Sequence, residues 1–167
     1  MKKMTFALLL VLIVLVAFSS AQAQIPKEGT GTGISAYSGT FKTVAMGQER
    51  VQMTYELLGA NISDTGEGII HNTSFRCVGS LHAIKGVYED NNGFCVQTLP
   101  DGDQIFLTIK SSGAIGRGGK GTYTFVGGTG KMTGIQGGGE YTEFPLRPAA
   151  EGTFQGYNRS KVSYKLP

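Results

Sequence analysis

The chain has no tryptophan, only two cysteines, two histidines and five prolines among 167 residues. Charged side chains make up only 16% of it. Two histidines cannot supply the three or four converging ligands of a zinc site. They are His71 and His82, placed on one predicted strand at an odd separation, so a regular strand sends them to opposite faces. No Gly-x-Ser-x-Gly elbow or recognisable serine–histidine–acid set is present. The arginines, Arg50, Arg76, Arg117, Arg147 and Arg159, are scattered. No basic stripe forms, which argues against nucleic acid as a partner. Helical periodicity is almost absent after the first two dozen residues, and no later apolar run is long enough to cross a membrane.

The one long apolar stretch is N-terminal. Lys2 and Lys3 precede an apolar run from Phe6 to Phe18, and Ala21-Gln22-Ala23 has the form of a leader-peptidase site. Residues 1–23 are therefore expected to be a cleaved signal peptide, with an uncleaved anchor as the rival reading. Residues 24–167 are expected to form one domain. The product would be exported, periplasmic or extracellular, with no membrane attachment after cleavage. The leader carries two lysines and no acid, so most of the formal +3 charge leaves with it.

What is abundant is glycine. All 26 glycines follow residue 23 and lie among β-branched and aromatic residues, a pattern of many turns and bulges rather than of collagen or disorder. "RVQMTYELL" (Arg50–Leu58) alternates, with Val51, Met53, Tyr55 and Leu57 on one face. Ile105, Leu107 and Ile109 share a side, as do Tyr123 and Phe125. "LPDGD", "DNNG" and "NISDTGEG" read as breakers. Eight strands follow: Gly31–Ser38, Arg50–Leu58, Gly68–Leu81, Gly93–Leu99, Gln104–Lys110, Gly121–Val126, Gly137–Phe144 and Gly152–Tyr164. Short connections make neighbours antiparallel. The fold class is all-β, an eight-stranded antiparallel up-and-down β-barrel, which removes exposed edges; a β-sandwich is the alternative.

The densest glycine stretch is "FVGGTGKMTGIQGGGEY" (Phe125–Tyr141). It fails the phosphate-loop pattern at two positions, since Met132 follows Gly130-Lys131 and Phe125 stands where the first glycine belongs. Glycines that admit positive φ suit a connection, "GGTGKMTG", followed by a bent strand start, "GGGEY". Cys77 and Cys95 form an even pair in an exported chain and read as a disulfide, with two free thiols as the alternative. Their midpoint is Gly86, so antiparallel strands turning there would bring them face to face.

The glycine stretch resembles the Gly-Gly-Thr-Gly-Lys segment of the allene oxide cyclase-like barrel superfamily, including dirigent proteins and their bacterial secreted relatives. "RCVGSL" and "GFCVQTLPDGDQIF" are similar to the bacterial members, which tend to carry paired cysteines and an acidic D-x-D-G-D-like turn, here lacking its first acid. The resemblance covers Phe75 to Tyr141. It implies an eight-stranded antiparallel barrel with an apolar cavity, often trimeric in the plant cyclases. It transfers no catalytic residues, which stay unassigned.

Three functions are weighed. The first is a secreted barrel binding a small apolar ligand, with Tyr55, Phe75, Phe106, Tyr123 and Phe125 as candidate cavity walls. The second is a structural or homo-oligomeric extracellular module. The third is a cyclase- or dirigent-like enzyme that holds a reactive apolar substrate in one conformation. The enzyme needs a polar group inside, and one of Glu56, Glu140, Glu143 and Glu151 would serve if buried. No cofactor or metal is expected. Asp101 and Asp103 read as turn formers rather than calcium ligands. Asn61, Asn72 and Asn158 open glycosylation sequons.

Overall fold

The computed structural model describes residues 25–167; the expected signal peptide lies outside the described residues. The strands are β1 (Glu28–Ala45), β2 (Arg50–Ser63), β3 (Thr73–Ile84), β4 (Val87–Thr98), β5 (Gln104–Ala114), β6 (Gly118–Gly128), β7 (Gln136–Leu146) and β8 (Thr153–Lys165). Each pairs antiparallel with the next, and β8 pairs antiparallel with β1 from Glu28↔Lys165 to Thr40↔Thr153. The sheet is thus a closed eight-stranded barrel rather than a sandwich. Among the described residues no helix is long and apolar enough to cross a membrane.

The alternation read from the sequence sets the two faces. Met53, Tyr55 and Leu57, then Leu107 and Ile109, then Tyr123, point inward. Several elements differ from the expected ones. β1 is ten residues longer than Gly31–Ser38, because β8 pairs with it from Glu28 to Thr40 and β2 from Gly33 to Ala45. "DNNG" is not a breaker: β4 passes through it, absorbing the irregularity as bulges in both neighbouring ladders, between Tyr88/Asn91 and Ser80/Ala83. A bulge admits an extra residue without ending a strand. His71 lies in the β2–β3 connection and not on a strand, while His82 is on β3.

The β3–β4 turn is Lys85-Gly86, with φ of 53° and 78°, the positive pair that a two-residue hairpin turn requires. The cysteines sit opposite one another, Cys77↔Cys95, and are joined in a disulfide with Cα atoms 4.1 Å apart.

The glycine-rich connection between β6 and β7 holds a single 3-10 turn, Gly130–Met132. It docks on the "LPDGD" turn. The Lys131 backbone N–H donates to Asp103 Oδ2 at 2.9 Å, and the Lys131 ammonium pairs with Asp101. The two acids therefore hold the glycine loop in place. A loop that looks like an anion cradle takes the chain's own carboxylate.

The barrel is filled at one end and hollow at the other. Ile69, Leu99, Ile105, Met132 and Ile135 are buried at the end where β2, β4 and β6 finish, and the 3-10 turn caps it. The opposite end carries exposed residues such as Ile115, Leu146 and Pro148.

Candidate functional site

Inward positions carry aromatics unusually often, and glycines make room for them. A Cβ at Gly121 would collide with the Tyr141 ring, one at Gly139 with Tyr123, and one at Gly79 with Tyr55. Each tyrosine therefore lies across a bare stretch of strand instead of filling the centre of the barrel. The Tyr123 hydroxyl crosses Gly139 to donate to the Lys161 carbonyl at 2.9 Å. Much of the glycine content thus has a packing cause as well as a turning cause.

The space left is a cavity of about 450 Å³. Its walls are mainly aromatic and aliphatic, including Tyr37, Phe41, Met53, Tyr55, Leu57, Leu81 and Phe154. The mouth lies among Ile115 of the β5–β6 connection, Pro148 of the β7–β8 connection and the strand ends Leu146 and Thr153. Phe154 bridges the wall, with ring centroids 6.2 Å from Tyr37, 6.3 Å from Phe41 and 6.1 Å from Tyr55.

One carboxylate enters this space. On β7 the inward residues are Gly139, Tyr141 and Glu143. Glu56 and Glu140 point outward to Arg76 (2.7 Å) and Lys161 (3.1 Å), and Glu151 is exposed in a loop. The Tyr88 hydroxyl donates to Glu143 Oε2 at 2.9 Å. Burial pushes the Glu143 carboxyl above its ordinary range, while the Tyr88 and Ser111 hydroxyls partly offset this. Among the described residues no lysine, arginine or histidine lines the cavity.

The tyrosines around Glu143 respond to it. Burial, then the Glu143 charge, pushes Tyr37 and Tyr88 well above the ordinary phenol range. Burial pushes Tyr55 up to about 12, with Asn91 lowering it and Glu143 raising it. Burial, offset in part by Ser111 and reinforced by Glu143, raises Tyr141 too. At neutral pH these phenols are uncharged hydrogen-bonding groups.

Two polar belts are internally satisfied. Tyr55 donates to Asn91 Oδ1 and Asn91 Nδ2 donates to Ser111 Oγ, both at 2.9 Å. Deeper in, Asn61 Nδ2 donates to Thr73 Oγ1 at 2.9 Å and Gln97 Nε2 to the Ile69 carbonyl at 2.7 Å. Asn158 differs: it lines the cavity opposite Glu143 in the β7–β8 ladder, and its buried Oδ1 has no partner.

Of the aromatics singled out in the sequence, Tyr55, Phe75 and Tyr123 line the cavity. Phe125 points inward but packs in the filled end with Leu107 and Met132. Phe106 does not face inward. Its neighbours Ile105 and Leu107 do, so strand alternation sends it outward, into a ladder row with Leu58, Arg76 and Val96. Tyr37, Tyr88, Tyr141 and Phe154 were not singled out; their parity with inward-facing neighbours was the available signal. Of the sequons, only Asn72 is exposed, since Asn61 is buried and Asn158 faces the cavity. Among the described residues no group of three or more histidine, cysteine or acidic side chains is placed to hold a metal.

No protein-family model matches the chain, and no curated protein matches it. Among solved structures it is similar to a pterocarpan synthase dirigent protein, at 12% identity and a TM-score of 0.46, covering 90% of this chain and 98% of that one. A likeness that distant carries no argument about function.

Proposed function

We propose that this chain is an exported barrel that takes one small, mainly apolar molecule into its hollow half. The observation that carries the reading is the cavity of about 450 Å³, open at one end and walled largely by aromatic and aliphatic side chains. Small-molecule sites fall at roughly 300–1,000 Å³ and combine such walls with a few placed polar groups. The disulfide and the N-terminal leader pattern support export. Phe154→Trp places a single tryptophan at the cavity wall, because the chain has none of its own. Exposing that variant to a lipid extract should shift the indole emission, and native mass spectrometry should find one retained small molecule. An unshifted spectrum together with a ligand-free mass refutes the reading.

Glu143 favours a second reading, an enzyme that confines a reactive substrate and moves one proton. A half-buried carboxyl with a raised pKa suits proton transfer near neutral pH. Extract components consumed by the wild-type chain and left intact by Glu143→Gln would support it. Unaltered recovery of every bound component would remove it.

We also propose association of copies through the outer face of β2–β4, where Leu58, Val78, Phe94 and Val96 are exposed on adjacent strands. Sedimentation velocity of the mature chain tests it, and a monomer at high concentration refutes it.

A further inference from the structure

We propose that the ligand of this cavity carries a protonated primary or secondary amine on an apolar body, with the ammonium group seated between Glu143 and Asn158. This deepens the ligand-binding reading and rests on it.

The polar groups of the wall are unevenly matched. Three of the cavity's phenolic hydroxyls already have acceptors of their own. Tyr88 donates to Glu143, Tyr55 to Asn91 and Tyr123 to the Lys161 carbonyl. Two groups on the wall stay unbalanced. Glu143 carries a formal charge that no lysine, arginine or histidine of the lining balances. Asn158 Oδ1 is buried and accepts nothing. The two residues are direct partners across the β7–β8 ladder and both line the cavity, so they present their side chains to it from adjacent strands. A buried acceptor left without a partner is costly, and so is a buried charge without a counter-charge. A ligand that donates more than one hydrogen and brings positive charge relieves both.

The walls agree with that chemistry. Tyr37, Tyr55, Tyr88 and Tyr141 all lie close enough to Glu143 for its charge to act on their phenols. Phe154 stands against Tyr37 and Tyr55. Aromatic faces attract organic cations, most strongly where water is excluded. An anionic ligand would face Glu143 with no compensating cation, and a hydrocarbon would leave the Glu143 charge unbalanced and Asn158 Oδ1 without a donor.

Three probes with the same phenylethyl body separate the cases: 2-phenylethylammonium, 2-phenylethanol and propylbenzene, which end in ammonium, hydroxyl and methyl. Isothermal titration calorimetry of the mature chain near neutral pH should find the ammonium probe tighter than the alcohol by at least about tenfold. Glu143→Gln should abolish that preference. The wild-type chain supplies a measurement that needs no variant. The titratable groups facing Glu143 are Tyr37 from β1, Tyr55 from β2, Tyr88 from β4 and Tyr141 from β7, and all stay protonated at neutral pH. Ammonium affinity should therefore rise with pH as Glu143 alone ionises, over a range displaced upward from that of an ordinary carboxylate, with alcohol affinity flat.

Alcohol or hydrocarbon binding as tight as the ammonium probe overturns the proposal while leaving the cavity a binding site. So does a preference that survives Glu143→Gln, or a pH-independent ammonium affinity. Binding of none of the three removes the ligand-binding reading and this proposal with it.

Discussion

Glu143 shows what a single residue costs and does here. Its folded-state pKa is raised by burial, so the folded chain favours the protonated form. The stability linked to it is complete below its unfolded pKa of about 4.3 and is lost as pH rises through the higher folded value. Glu143→Gln keeps the shape and removes the charge. Its melting temperature should match wild type in acid and exceed it by a few degrees at neutral pH, measured by circular dichroism across that range. Equal shifts at every pH would show that the carboxyl is not desolvated in the fold. The inward glycines make a second residue-scale prediction. Gly121→Ala drives a Cβ into the Tyr141 ring and the Lys110 carbonyl, and should cost about 1–3 kcal/mol by urea titration. At Gly127 an added Cβ meets only Phe106, at an ordinary 3.5 Å, so Gly127→Ala should stay within about 0.5 kcal/mol of wild type.

Between elements, the β4–β5 turn and the glycine loop before β7 act as one unit. Asp103 satisfies a backbone N–H of that loop, and Asp101 holds the exposed Lys131 ammonium. Losing the backbone acceptor should matter more than losing the surface pair. Asp103→Ala is expected to cost about 1 kcal/mol and to speed amide exchange at Lys131. Lys131→Met should leave the melting temperature almost unchanged. If the two variants behave alike, the loop is held by something other than Asp103. At this scale much was legible beforehand. Alternation over Arg50–Leu58 and at Ile105, Leu107 and Ile109 gave the inward faces directly, because strand side chains alternate with a period of two. The end of β1 and the passage of β4 through "DNNG" were not legible. Strand extent there is decided by partners on both sides, and bulges absorb residues that a local reading takes for turns.

For the whole molecule, the disulfide ties the inner wall together. Cys77 and Cys95 are 18 residues apart and both line the cavity. Reducing the bridge, or replacing both residues with alanine, should lower stability by about 3 kcal/mol on the chain-entropy account. Urea titration with and without dithiothreitol measures this. A shift below about 1 kcal/mol would mean that the closed barrel restrains its own unfolded ensemble little through this bridge. Closure also explains why so little of the site could be read in advance. Glu143 was one of four carboxylates of equal standing in the chain. Its selection depends on β7 lying between β6 and β8 with Tyr141 already turned inward.

From its own pattern the chain determined an antiparallel all-β fold, the inward parity of most strands and the pairing of its two cysteines. These depend on neighbours close in sequence, through a two-residue repeat and tight turns. Tertiary structure alone decided which half of the barrel is hollow and that Glu143 and Asn158 share a wall. Those outcomes depend on residues brought together by ring closure and by loops plugging one end, and no local spacing encodes that meeting.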